Sequence, residues 1–186
     1  MKKLFIPALF VLVFSTTTFA QQFATLDKSP MDMAYYPNNF AHDRKAGEQA
    51  IIRVIYSRPA KGGREIFGKQ TPFDKVWRTG ANEATEIKFY QDVEFAGKKV
   101  KAGTYSLFTI PGEKDWTIIL NSELDYWGAY SYNEKKDVVR ATAPASQSPT
   151  TVENFTIQFD KKADRQGVMK IAWDKTVVEV PFNVLP

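Results

Sequence analysis

Three arginines, Arg58, Arg64 and Arg78, fall in the stretch Tyr56 to Thr85, YSRPAKGGREIFGKQTPFDKVWRTGANEAT, with Asn82, Glu83 and the aromatics Phe67, Phe73 and Trp77. Guanidinium groups present planar, paired donors that match a carboxylate, phosphate or sulfate. Their spacing follows neither a strand nor a helix period, so convergence requires a loop held on a rigid scaffold. Two arrangements satisfy the same residues. In one, the arginines and Trp77 open on a pocket, with Asn82 and Glu83 as orienting partners. In the other, Glu83 pairs with an arginine inside the fold as a structural lock, whose rupture costs ~3–5 kcal/mol. Gly62-Gly63, between Lys61 and Arg64, supplies backbone for an anion nest or for a plain turn. It lacks the strand-to-helix pattern of a phosphate loop.

Other chemistry is thinner. Tyr126, Trp127, Tyr130 and Tyr132 surround Gly128 and suit either a stacking platform for a sugar ring or plugs in a core. In a strand, Tyr130 and Tyr132 share a face. Glu83 with Asp74 or Glu65 is the carboxylate pair to inspect for a glycosidase, which needs two carboxyl groups ~5–10 Å apart. His42, beside Asp43, is the only histidine, which leaves a serine triad or a multi-histidine metal site without support. Asp125, Glu134 and Asp137 match no calcium-loop spacing. Cysteine is absent, which excludes disulfides, thiolate zinc, a cysteine nucleophile and a lipid-modified cysteine. No metal or other cofactor is expected.

The chain that must position these groups starts with Lys2-Lys3, an apolar run from Leu4 to Phe14 and a Ser/Thr segment ending Thr18-Phe19-Ala20, the pattern of a secretory signal peptide cut after Ala20. The apolar run is about half the ~20 residues a spanning helix needs, and nothing later resembles a membrane segment. Cleavage removes two of the four net positive charges, and with them the main support for a nucleic-acid partner. The expectation is an exported protein of the periplasm or beyond, with no membrane span. Residues 21–49, broken by Pro30, Pro37 and Gly47, read as an irregular N-terminal segment. Residues 50–186 read as one domain.

Ala50 to Tyr56, apolar on both faces, predicts a strand near a sheet centre. Thr85 to Gln91 alternates, with Ile87 and Phe89 on the packed face. Val93 to Val100 predicts a hairpin turned at Gly97, and Thr104 to Ile110 with Trp116 to Asn121 an antiparallel pair across Pro111-Gly112. Val138 to Thr142 follows, then a Pro/Ser/Thr loop over Pro144 to Thr150. Phe155 to Phe159, Met169 to Trp173 and Val178 to Phe182 close the chain, the last two across an Asp174-Lys175 turn. Pro181 is placed on an edge. No window sustains a helical stripe. The fold class is all-β: an antiparallel β-sandwich of about nine short strands, with the jelly roll as one arrangement of it.

The strings YSRP, KGGREIFG, KVWRTGANEAT, GTYSLFTIPG, WTIILN, WGAYSY and WDKTVVEVPF, in this order from about Ile51 to Phe182, resemble the bacterial secreted family catalogued as domain of unknown function number twenty-nine eleven. One departure is Lys61-Gly62-Gly63-Arg64, a glycine longer than the compact Lys-Gly-Arg of the family. The resemblance implies an exported β-rich domain and carries over no catalytic residue. The residues themselves favour a non-catalytic module binding a small anionic or carbohydrate-derived ligand through Arg58, Arg64, Trp77, Arg78, Asn82 and Glu83, with Tyr126 and Trp127 as the aromatic wall. The alternatives are a polysaccharide hydrolase using Glu83 and an interaction domain with a buried arginine–glutamate network.

Overall fold

A computed structural model describes residues 23–186; the expected signal peptide and its cut after Ala20 lie outside the described residues. Nine strands follow in order: β1 Met31–Tyr36, β2 Ile52–Ser57, β3 Thr85–Phe89, β4 Val93–Phe95, β5 Lys98–Val100, β6 Gly103–Ile110, β7 Asp115–Asn121, β8 Asp137–Ala163 and β9 Gln166–Val184. A short helix, α1 Phe40–Asp43, lies between β1 and β2. Every pairing is antiparallel, and the order is β1-β2-β3-β6-β7-β8-β9-β4-β5. Among the described residues no helix is long and apolar enough to cross a membrane.

The expected sandwich faces belong to one open sheet folded over on itself. The fold-over is made by β8, 27 residues long. Its first part pairs with β7 as far as Pro144, and its remainder with β9, with register breaks between Gln147 and Val152 and between Val152 and Thr156. Such breaks bend a strand without ending it. The second half thereby lies across β1 and β2: the Tyr56 hydroxyl donates to the Ile157 carbonyl at 3.2 Å, and the Tyr36 ring meets Phe182 edge-on at 4.8 Å.

Alternation decides which side chains enter the space between. Ile52, Val54 and Tyr56 of β2, Ile87 and Phe89 of β3, and Phe155, Ile157 and Phe159 of β8 are all buried. Each such side chain contributes ~1.5–3 kcal/mol of burial.

Four expectations are corrected. Residues 21–49 are not irregular throughout, because β1 pairs with β2 along its whole length and Tyr36 enters the core. Consequently β2 is second from an edge, and Ile51, Arg53 and Ile55 on its outer face are only half-buried. Pro144 to Thr150 lies inside β8: Pro144 is the last residue paired with β7, and Pro149 falls in the register break between Gln147 and Val152. Asp174 does not turn the chain; its φ of 54° sits at a kink in a continuous β9. Pro181 lies just beyond the last β4–β9 pair, Phe95 with Phe182; its carbonyl accepts from the Ala96 N–H at 2.9 Å, so the N–H it lacks would face the β4–β5 turn and not a continuing strand. The hairpin turn holds as expected, with Ala96 at φ 50° and Gly97 at 74°, the paired positive values of a tight two-residue connection.

Candidate functional site

The segment between β2 and β3 is pinned at several points. Near its start, the Arg58 Nη1 meets Asp32 Oδ2 at 2.8 Å, its Nε donates to the Phe155 carbonyl at 3.1 Å and its Nη2 to Thr156 Oγ1 at 3.0 Å. Arg58 is therefore a clamp between β1 and β8 and does not join the other two arginines. The Gly62 N–H donates to the Glu153 carboxylate at 2.7 Å, so the anion in that glycine turn is the protein's own. The Arg64 Nε donates to the Lys61 carbonyl at 2.9 Å and its Nη2 to the Ala60 carbonyl. Carbonyls orient this exposed guanidinium without neutralising it.

Further on, Trp77 exchanges backbone hydrogen bonds with Thr109 of β6 at 2.7 and 2.9 Å. Its indole, 8% exposed, packs edge-on against Phe67, Trp116 and Phe155 and stacks on Trp173 at 6.0 Å. The Trp77 Nε1 donates to the Gly80 carbonyl at 3.1 Å, and Thr85 Oγ1 to the Thr79 carbonyl at 2.6 Å. The approach at Gly80 is close: a Cβ would stand 3.3 Å from the Ser57 carbonyl oxygen. Arg78, between these anchors, has a fixed backbone, yet its buried Nε finds no acceptor among the described residues.

Arg78 opens on a pocket of about 390 Å³ shared with Arg64 and Lys75. Gln70, Thr71, Asn82 and Ser29 add polar edges, and Trp77 and Trp173 close the back. Among the described residues no carboxylate lines it. Three cations without a counter-charge, amid amide and hydroxyl groups, fit an oxyanion.

Four of the expected site residues, Arg64, Trp77, Arg78 and Asn82, thus come together, and four do not. Glu83 is exposed, and its backbone bridges Trp127. Among the described residues the arginine ion pairs are Arg58 with Asp32 and Arg140 with Glu134 and Asp137, so the arginine–glutamate lock is not formed. Tyr126 is buried against Phe108 at 5.2 Å with its hydroxyl donating to Glu123, which removes it from any ligand surface. Trp127 is 60% exposed but does not line the pocket. Residues 124–132 form turns and not a strand, so Tyr130 and Tyr132 share no strand face.

Asp74 and Glu65 also lie off this pocket. Asp137 is committed to Asn121, Tyr132 and Arg140. Burial first, then Asp137, pushes the Tyr132 phenol well above its ordinary range. Sequence reasoning missed Lys75, Gln70 and Thr71, which lie in the same segment, and Ser29 and Trp173, which lie far from it and give no local signal.

Fold and pocket together define a class: an all-antiparallel β domain with a cationic, carboxylate-free recess held against an aromatic core. The family model described as Protein of unknown function (DUF2911) matches residues 37–182, and the chain belongs to that family. The match spans the whole pocket except Ser29. No curated protein and no solved structure matches the chain.

Proposed function

We propose that this protein is an exported, non-catalytic binding module whose Arg78 pocket receives a small oxyanion of the carboxylate, phosphate or sulfate type. The observation that carries this reading is the Arg78 guanidinium, which springs from an anchored backbone and has a buried Nε with no acceptor among the described residues. Structural arginines spend their donors on the fold, as Arg58 does. Arg64 and Lys75 add charge, and Asn82 with Thr71 adds donors at the rim. The two indoles are almost fully buried, so they offer a ligand little stacking face and favour a compact anion over a sugar ring. Without a carboxylate on its walls the pocket has no acid–base pair of the kind a glycosidase uses.

Thermal and urea unfolding in sulfate, phosphate and acetate, against chloride at equal ionic strength, test this. A bound anion at a hundred times its Kd stabilises the protein by about 2.7 kcal/mol. Arg78→Ala abolishes that stabilisation and leaves the melting temperature in chloride nearly unchanged. Equal stabilisation of Arg78→Ala, no stabilisation of the parent by any of the three anions, or a large loss of stability in chloride overturns the assignment.

A further inference from the structure

The same signature, a buried guanidinium Nε without a protein acceptor, occurs at one other arginine among the described residues, Arg53. Arg53 points to the outer face of β2, alternating with the buried Ile52 and Val54. The β1–β2 register sets Tyr35 opposite it, and the β2–β3 register sets Lys88 on its other side. Lys88 lies over the Tyr90 ring, its Nζ 4.7 Å from the centroid. One row across three strands therefore reads tyrosine, arginine, lysine, with a second tyrosine beside it.

Residues 37–50 roof this row. The excursion is closed at its base, where the Ile51 N–H donates to the Tyr36 carbonyl at 2.9 Å and the Tyr90 N–H to the Ile51 carbonyl at 3.0 Å. Its short helix brings Phe40 against Tyr35, ring centroids 6.1 Å apart, and its far side brings Arg44. The space between roof and sheet is about 530 Å³, bounded by Arg53, Arg44, Tyr35, Phe40 and Tyr90. Glu48 is the single carboxylate on this wall, and its Oε2 accepts from the Lys45 N–H at 2.8 Å.

We infer that this recess is a second binding site, for an anion carried on a flat ring: a ring-bearing carboxylate or phosphate. Its arginines engage the oxyanion, and the half-buried faces of Tyr35, Phe40 and Tyr90 receive the ring. A guanidinium beside aromatic walls selects charge and flatness together. The larger volume lies within the ~300–1,000 Å³ usual for small-molecule sites. This inference does not rest on the Arg78 pocket, which offers no comparable ring wall.

Phenyl phosphate and inorganic phosphate separate the two sites when titrated calorimetrically into the purified protein. Phenyl phosphate binds at least about tenfold more tightly than inorganic phosphate, the gain expected of a well-placed ring contact. Arg53→Gln and Tyr90→Leu each remove that tenfold gain and leave inorganic phosphate unchanged. Arg78→Ala does the reverse. Should Arg53→Gln fail to fold, Tyr90→Leu decides the question, since unchanged phenyl phosphate affinity in that variant overturns the inference. Equal affinity for the two probes in the parent, or loss of phenyl phosphate binding in Arg78→Ala alone, overturns it as well.

Discussion

The Arg78 and Arg53 pockets, one lined by the loop between β2 and β3 and the other by the outer face of β2, solve one problem differently. Behind Arg78 stand Trp77 and Trp173, part of a five-ring cluster with Phe67, Trp116 and Phe155, so that wall is the hydrophobic core itself. Around Arg53 the rings of Tyr35, Phe40 and Tyr90 are only half-buried, and the backbone closure of the roof onto the sheet lies at its base. The first pocket is rigid because unfolding it means opening the core. The second rests on a strand but is covered by a segment with little buried apolar surface, the kind that opens locally at small cost. Aromatic residues near an arginine thus carry opposite meanings, scaffold in one pocket and contact surface in the other, and exposure decides between them.

The sharpest attempt to break this contrast is truncation of one ring from each wall. Trp77→Ala removes a nearly buried indole from the cluster and costs ~3–5 kcal/mol in urea unfolding. Phe40→Ala, from the half-buried roof, costs about 1 kcal/mol. Similar losses for both would show that the roof belongs to the core after all. Amide exchange sharpens the comparison further, with the N–H groups of 40–48 exchanging faster than that of Trp77, which is bonded to Thr109.

A smaller effect separates arginines inside the first region. Arg58→Ala deletes the bonds to the Phe155 carbonyl, Asp32 and Thr156 and costs about 2 kcal/mol, since the partly exposed ion pair adds little to the hydrogen bonds. It leaves sulfate stabilisation intact. Arg78→Ala shows the opposite pattern, with stability kept and sulfate response lost. The measurement is the urea midpoint of both variants with and without sulfate. A sulfate response that survives in Arg78→Ala and disappears in Arg58→Ala would reassign the pocket.

What was legible in the sequence follows from the range over which each feature is determined. Ile87 with Phe89, the Gly97 turn and the pair flanking Pro111-Gly112 depend on neighbours a few residues away, and all three stand as expected. β1 was illegible because an edge strand leaves Met31 and Met33 exposed and shows no apolar alternation. The continuity of β8 and β9 was hidden by Pro144, Pro149 and Asp174, whose turn chemistry was spent on bends within strands. At the site, Arg64, Trp77, Arg78 and Asn82 were found because one loop carries them. Arg58 belonged elsewhere because its acceptor Phe155 lies 97 residues away. Arg53 sits in an otherwise apolar strand with no motif around it, and only its missing acceptor marks it out.

The smallest expected effect concerns the anchor from which the Arg78 segment departs. Tyr56, at the end of β2, donates its hydroxyl across the fold to the Ile157 carbonyl. Burial is the main reason its phenol is held above its ordinary value; Asp32 adds to this, while Arg58 opposes it. Tyr36, Tyr126 and Tyr132 are raised as well, each by burial first. A phenol whose folded pKa exceeds its unfolded value of about 10 stays protonated when the unfolded chain has begun to ionise. The unfolded state then binds fewer protons, so stability is level below about pH 10 and falls as pH rises through the folded values. Tyr56→Phe removes one contributor: it costs about 1 kcal/mol at pH 7 for the lost hydrogen bond. It also makes the decline above pH 10 shallower without abolishing it. Urea midpoints at pH 7, 9 and 10.5 on both proteins measure the difference. An unchanged slope in the variant would mean that the β2 anchor opens before its phenol titrates, and the first pocket would then lose its claim to be the more rigid of the two.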